Sequence, residues 1–157
     1  DEAWLNAFNL TVQSAIRLTN LVLPSMKTAG WGRIVNISSY SVRQPMDNMM
    51  LSNSLRLSVL GWAKTLANEV APHGILVNTV CPGWTNTHRV SSLLQSRSVA
   101  EGITIDEARE TIAQNVPLGR LAEADEIANM VVFLSSNAAS YVTGVAVPVD
   151  GGISRVV

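Results

Sequence analysis

The chain has 157 residues, 47% of them hydrophobic, with 11 basic residues against 12 acidic ones. This length suffices for one domain with an apolar core, and the balanced charge gives no electrostatic reason to expect nucleic acid or an anionic membrane as a partner. One cysteine excludes an internal disulfide, and the two histidines lack zinc-like spacing, so we expect no metal site. With no secretory signal and no apolar run long enough to span a bilayer, we expect a cytoplasmic protein.

Hydrophobic periodicity and helix or strand breakers predict an alternating order of elements. In chain order these are a helix over 2–27, a strand over 34–37, a helix over 49–70, a strand over 75–80, a helix over 125–135 and a strand over 145–149. Such alternation is typical of an α/β protein with a parallel sheet. Pro148 cannot donate to a ladder, so its strand should lie at a sheet edge. Three strands are few for such a sheet, so we expect further strands to precede Asp1 and to pair with 34–37.

Two segments of this order carry additional signals. The helix over 49–70 has two apolar stripes, which suggests a sheet on one side and a second subunit on the other. Segment 84–120 is long and mostly polar, with weak helical patterns at 88–97 and 105–115. Connections of this length in a compact domain are usually functional loops or lids.

Short segments in order along nearly the whole chain resemble those of the short-chain dehydrogenase/reductase family. They are FNLT at 8–11, GRIVNISS at 32–39, ANEVAPHGILVN at 67–78, CPGWTNT at 81–87, AEADEIA at 122–128, YVTG at 141–144 and VDGG at 149–152. Each is weak alone, but the ordered set is specific. It is most similar to the β-ketoacyl acyl-carrier-protein reductase-like subgroup.

The resemblance implies a doubly wound, Rossmann-like parallel sheet of which this chain holds the last three strands and their flanking helices. Residues 1–157 would then be the C-terminal half of a single domain, without the N-terminal half that holds the pyrophosphate of NAD(P). The only G-x-G, at 30–32, ends a predicted helix instead of opening one, so it does not qualify as a dinucleotide fingerprint.

The family's catalytic tetrad is Asn, Ser, Tyr and Lys, and the resemblance places Asn9 and Ser39 at the first two positions. The Tyr-x-x-x-Lys pair should begin thirteen residues after the Ser, where this chain has Ser52 and Arg56. The i, i+4 spacing keeps the two side chains on one helix face. An aliphatic hydroxyl is far less acidic than a phenol, and arginine is a poor proton carrier, so the usual acid catalysis is in question. Arg56 is instead a candidate contact for a nicotinamide ribose or a phosphate, and Tyr40 is a second candidate acid.

The loop after the second strand supplies the predicted cofactor contacts, which are Pro82, Gly83, Thr85 and Thr87. It follows the C-terminal end of a parallel strand, where ligands bind in open α/β sheets. The resemblance implies that this loop contacts the nicotinamide carboxamide. Segment 84–120 matches the family's variable substrate loop.

Three hypotheses for function remain open. The first is an NAD- or NADP-dependent oxidoreductase acting on a small carbonyl or alcohol substrate, possibly a 3-oxoacyl thioester, as part of a longer protein. The second is a non-catalytic relative that binds nucleotide, and the third is an oligomerisation module. In all three we expect a homo-oligomer built on helices 2–27 and 49–70, and we expect the 157-residue chain alone to be inactive and to bind NAD(P) only weakly.

Overall fold

The computed structural model describes residues 1–156. Its sheet has three strands, β1 (Gly32–Ile37), β2 (Ile75–Pro82) and β3 (Ala146–Val149). They are parallel in the order β1-β2-β3, with Gly32 opposite Ile75 and Thr79 opposite Ala146. The predicted fold class is therefore confirmed. The edge position of the strand with Pro148 is also confirmed. It suits proline, which has no N–H group to leave unpaired on the open side of the strand.

Six α-helices surround this sheet in the described residues. They are α1 (Glu2–Phe8), α2 (Ser14–Ala29), α3 (Met50–Val70), α4 (His88–Glu101), α5 (Ile105–Gln114) and α6 (Ala124–Ser135). The two faces of β2 are covered separately. On one face Ile75 and Val77 pack against α3, and on the other Val80 packs against α6. Alternate residues of β2 thus enter two cores, which explains its near-continuous apolar sequence.

The predicted helix over 2–27 is not continuous. A π-helical turn over Asn9–Gln13 separates α1 from α2, and the N–H of Ser14 donates to the carbonyl of Asn9. Val12 is buried against Leu55 and Val59 of α3. Trp4, on the predicted apolar face of this helix, is 41% exposed, whereas Ala7, one turn later in α1, packs against the same cluster as Val12. Periodicity alone cannot reveal a single wide turn.

Helix α3 is covered differently from the prediction. Leu66 and Val70 of its first stripe lie in the core facing the sheet, whereas Leu55 and Val59 contact the π-turn of the same chain. The π-turn of the same chain therefore covers part of α3 outside its sheet-facing side. Leu57, which belongs to the other predicted stripe with Leu60, Ala63 and Ala67, is 52% exposed. The two stripes by themselves are thus no evidence for a second subunit.

Segment 84–120 is more ordered than a polar loop. Helices α4 and α5 form a helical hairpin with its own small core, in which Leu94, Ala108, Ile112 and Leu121 are buried. The side chain of Thr87 caps α4, and Thr104 with Glu107 forms a capping box at α5. These capping residues define where the two helices begin.

Candidate functional site

The predicted site residues lie mainly where the parallel strands end. Ser38 and Ser39 follow β1, Pro82 ends β2, and Asp150 follows β3. In parallel sheets these ends share one edge, so the topology brings together residues far apart in sequence. The Ser39 hydroxyl accepts a hydrogen bond from the backbone N–H of Ser41 at 3.1 Å and so caps the short 3-10 turn Tyr40–Val42.

Arg56 joins the start of α3 to the end of β1. Its Nε donates to the Ser52 hydroxyl at 3.1 Å, and its Nη1 lies 3.3 Å from the carbonyl oxygens of both Ile37 and Ser38. Burial lowers the pKa of the Arg56 guanidinium from its ordinary value. The group nevertheless remains charged at neutral pH. A half-buried cation therefore holds one hydroxyl and one strand end in a fixed relation.

Two serine hydroxyls are left able to donate. The Ser39 oxygen accepts from a backbone N–H, and the Ser52 oxygen accepts from a guanidinium. A hydroxyl has one proton and two lone pairs, so each retains its proton for an external acceptor. The cation beside Ser52 favours proton donation from that hydroxyl, although it cannot make serine as acidic as a phenol. The pair suits hydrogen bonding to a carbonyl oxygen.

Asn9 is placed less favourably. It is exposed and is the first residue of the π-turn. No hydrogen bond joins its side chain to Ser39, Ser52 or Arg56, all of which the structure describes. Single π-turns within helices frequently mark functional sites, but here the turn buries Val12 and leaves Asn9 in solvent.

The loop after β2 is tightly built. The Gly83 N–H donates to Val149 at 3.0 Å, and a Cβ on Gly83 would lie 2.7 Å from the Cα of Asp150. The Thr85 hydroxyl is buried and donates to the Gly83 carbonyl at 3.1 Å. The Thr87 hydroxyl lies 3.4 Å from the Thr85 carbonyl and caps α4. Both predicted threonine donors are therefore engaged within the loop.

Tyr40, named above as a candidate acid, forms with Trp84 and Asp150 a cluster across the same edge that the sequence patterns did not predict. Buried Tyr40 receives a side-chain hydrogen bond from Trp84, and burial, opposed by that bond, raises the pKa of the Tyr40 phenol. Asp150 lies close enough to raise it further. Tyr40 thus faces the ends of β2 and β3 rather than Ser52. The only sequence signal was position, because each residue directly follows a strand or its first turn.

Arg43 makes another contact that the sequence patterns did not predict. Its Nη2 donates to the Ala146 carbonyl at 3.0 Å, so the loop after β1 reaches across to β3. Burial raises the pKa of the Cys81 thiol, and the Arg43 charge opposes that effect. Nothing in residues 39–48 indicates this contact, because the two partners lie 103 positions apart.

The residues present fit a nicotinamide cofactor in part. Arg56 uses Nε and Nη1 for the contacts above, and a half-buried cation at this edge suits ribose hydroxyls or a phosphate. The threonine hydroxyls have already donated, so the loop would offer mainly backbone groups. No group of three or more histidine, cysteine or acidic side chains suited to a metal is found among residues 1–156. Within that same range no helix has both the length and the apolarity needed to cross a membrane.

Residues 1–154 match the family model described as Enoyl-(Acyl carrier protein) reductase. The chain is 38% identical over 155 residues to the 3-oxoacyl-(acyl-carrier-protein) reductase FabG of Pseudomonas aeruginosa, which covers 98% of the chain and 58% of that protein. It therefore spans somewhat more than half the length of such relatives.

Two solved structures have the same fold. The actinorhodin polyketide ketoreductase with NADPH matches with a TM-score of 0.94 and 35% identity, over 99% of this chain and 60% of its own. An NADPH-bound short-chain oxidoreductase of Pseudomonas aeruginosa, described as containing an atypical catalytic center, matches with a TM-score of 0.87 and 28% identity, over 100% of this chain and 59% of its own. The order of motifs, the parallel sheet and the family match agree, and the chain belongs to the short-chain dehydrogenase/reductase family.

Proposed function

We propose that this chain is the C-terminal half of one domain in a longer NAD(P)-dependent oxidoreductase. The reaction would move hydride between a nicotinamide and the carbonyl or alcohol carbon of a small substrate, with a 3-oxoacyl thioester as the favoured class. The observation that carries the proposal is that two serine hydroxyls keep a proton to donate, that of Ser39 directly after β1 and that of Ser52 beside Arg56.

The names of relatives support the substrate class. They include FabG, an acetoacetyl-CoA reductase from Shinella zoogloeoides at 34% identity and a putative ketoacyl reductase from Streptomyces coelicolor at 35%. A bound NADPH would supply the hydride. The chain's own part would be to hold the carbonyl oxygen through Ser39 and to keep the Ser52 proton directed toward it. Pro82 and Gly83, with Thr85 and Thr87 shaping the loop, would border the nicotinamide.

The proton donor limits the rate in this mechanism. General acid catalysis typically contributes roughly 10²–10⁴-fold. Changing Ser52→Tyr and Arg56→Lys together in the full-length protein should therefore raise the turnover of acetoacetyl-CoA with NADPH toward that range. Each single change should do much less, because a phenol without its lysine keeps a high pKa and a lysine without a phenol has nothing to activate.

The test is steady-state kinetics on wild type, both single variants and the double variant, with a thermal melt of each. Ser58→Ala is a matched control for Ser52→Ala, because Ser58 lies in the same helix and donates only to the Leu55 carbonyl. A folded, NADPH-binding double variant without gain would contradict this account. A wild type with ordinary enzymatic turnover that is insensitive to Ser52→Ala would show that the proton comes from elsewhere.

A non-catalytic relative is the second candidate, and one observation favours it. Arg56 is fixed by carbonyl groups of Ile37 and Ser38, so it can hold the fold together without any reaction. NADPH binding without turnover of acetoacetyl-CoA by the full-length protein would select this candidate.

The longer protein would be a cytoplasmic homo-oligomer. Leu10, Leu18 and Leu21, on the π-turn and α2, are 78%, 65% and 77% exposed, and α3 adds the exposed Leu57. Apolar side chains at such density usually mark an interface. The unpaired edge of β1, with the buried Asn36 Nδ2 and Ser38 Oγ lacking partners, supports a further strand beside it. Light scattering that shows a monomer at tens of micromolar would contradict the oligomer.

A further inference from the structure

The hairpin of α4 and α5 is joined to the sheet through a narrow neck. Thr85 pairs in parallel with Ala122, the Ala122 N–H donates to the Trp84 carbonyl at 2.9 Å, and the Asn86 N–H donates to the Ala122 carbonyl at 2.8 Å. The two ends of the hairpin segment are thereby tied to each other. They are also tied to the loop that starts at Pro82.

One side chain at this neck, that of Asn86, forms hydrogen bonds with two charged residues. The Nη1 of Arg109, in α5, donates to the Asn86 Oδ1 at 2.5 Å, and the Asn86 Nδ2 donates to the Glu123 Oε1 at 2.6 Å. Asn86 and Arg109 are both half-buried. An amide that accepts from a cation and donates to an anion is aligned with the field of both charges, and such bonds are shorter and stronger than neutral ones.

The chemistry of the residue matters at this position. Asparagine is a short side chain that offers a donor and an acceptor on one carbon. Aspartate would still accept from Arg109, but it would have no N–H for Glu123 and would place two carboxylates together. An apolar residue would release both partners. The contact therefore depends on the amide and not on side-chain volume.

The hairpin can respond to this contact as a unit. Its own core of Leu94, Ala108 and Ile112 keeps α4 and α5 together, and Trp84 from the loop packs against that core. Arg109 lies next to Ala108 in α5, and its guanidinium reaches the loop at Asn86. Apart from packing, the Arg109–Asn86 bond is the one side-chain hydrogen bond in the described residues between α5 and the loop.

We propose that Asn86 is a positioning residue that sets the hairpin against the Pro82–Thr87 loop. Resting on the proposed function, this means that Asn86 fixes the distance between the nicotinamide end of the site and the wall that the hairpin forms on the substrate side. Its loss should weaken productive substrate binding more than the chemical step. Asn86 acts through Arg109 and Glu123 and contacts no reacting atom.

The test is a charge-complementation series in the full-length protein. Asn86→Asp should raise KM for acetoacetyl-CoA roughly tenfold, with a smaller change in kcat, because a displaced hairpin would lose contacts made equally to the bound substrate and to the transition state. Asn86→Asp combined with Glu123→Gln should recover most of the loss, since the glutamine amide can donate to the new carboxylate. Arg109→Gln should resemble Asn86→Asp. Arg97→Gln, which removes an exposed pair with Glu101 inside α4, is the control and should leave KM unchanged.

Hydrogen exchange of the amides in α4 and α5 is measured on the same variants. Faster exchange in Asn86→Asp and Arg109→Gln, reversed in the complemented double variant, is the expected result. A double variant no better than Asn86→Asp alone in KM and exchange would overturn the proposal, as would an unchanged KM in a folded Arg109→Gln variant. If wild type neither binds NADPH nor turns over, the proposed function fails, and the exchange data alone then decide whether Asn86 positions the hairpin.

Discussion

Replacing Arg56 by methionine tests whether its guanidinium stabilises the fold. Methionine keeps a similar unbranched stem but removes all donors, so the hydrogen bonds to Ser52, Ile37 and Ser38 are lost while packing is largely retained. Hydrogen bonds to charged groups contribute about 1.5–3 kcal/mol each when well buried. Arg56 is only half-buried and two of its contacts are long at 3.3 Å, which reduces that value. Burial of the cation, which lowers its pKa, also opposes the gain.

We therefore expect Arg56→Met to lower the free energy of unfolding by about 2 kcal/mol in total. For a domain of this size that corresponds to a decrease of roughly 4–8 °C in Tm. The stability of Arg56→Lys should lie between those of wild type and Arg56→Met, because one ammonium can satisfy only part of the same set of acceptors. The measurements are urea denaturation followed by circular dichroism, and thermal melts under the same conditions.

Arg97→Met is the matched control for this prediction. Arg97 forms an exposed i, i+4 pair with Glu101, worth no more than about 0.5 kcal/mol. If Arg56→Met is as stable as wild type or more stable, then the desolvation cost of the cation equals or exceeds its hydrogen bonds. The residue would then not stabilise the end of β1, and a role toward a bound ligand would be the remaining explanation for a cation there.

Three further predictions follow from glycine packing, acid titration and cofactor binding. Gly83→Ala should destabilise the chain by about 1–3 kcal/mol, because its Cβ would meet the Asp150 backbone. Gly61→Ala in α3 would meet nothing within 4 Å, so it should stabilise the chain by about 1 kcal/mol in the same urea titration. The hydrogen bonds from Arg120 and the Glu123 N–H lower the pKa of Glu126 to about 2, so this group stabilises the fold above its unfolded pKa and loses that contribution as pH falls from about 5 toward 2. Over this pH range the Tm of Glu126→Gln should fall less steeply than that of wild type, and an unchanged slope would contradict the assignment. Calorimetry on the 157-residue chain alone should find NADPH affinity weaker than micromolar, because the loop after β2 contacts only one end of the cofactor, and a micromolar Kd would refute this.

Much of the fold follows from local sequence patterns. Alternating apolar periods and breakers identify the order of helices and strands, and Pro148 alone indicates an edge strand. These features depend on residues close in sequence, so no tertiary information is needed. The hairpin of α4 and α5 was only weakly indicated, because its core is small and polar residues predominate in the segment.

The candidate site is divided in the same way. The spacing of Ser52 and Arg56 places them one helical turn apart, and that relation is a property of the sequence. Sequence could not show that Arg56 also binds the end of β1, that Tyr40 faces Trp84, or that Asn86 lies between Arg109 and Glu123. The first two contacts join residues brought together where parallel strands end at a common edge, and the third depends on how the α4–α5 hairpin folds back onto the loop after β2. Because local composition leaves no trace of such long-range partners, only the tertiary structure determines them.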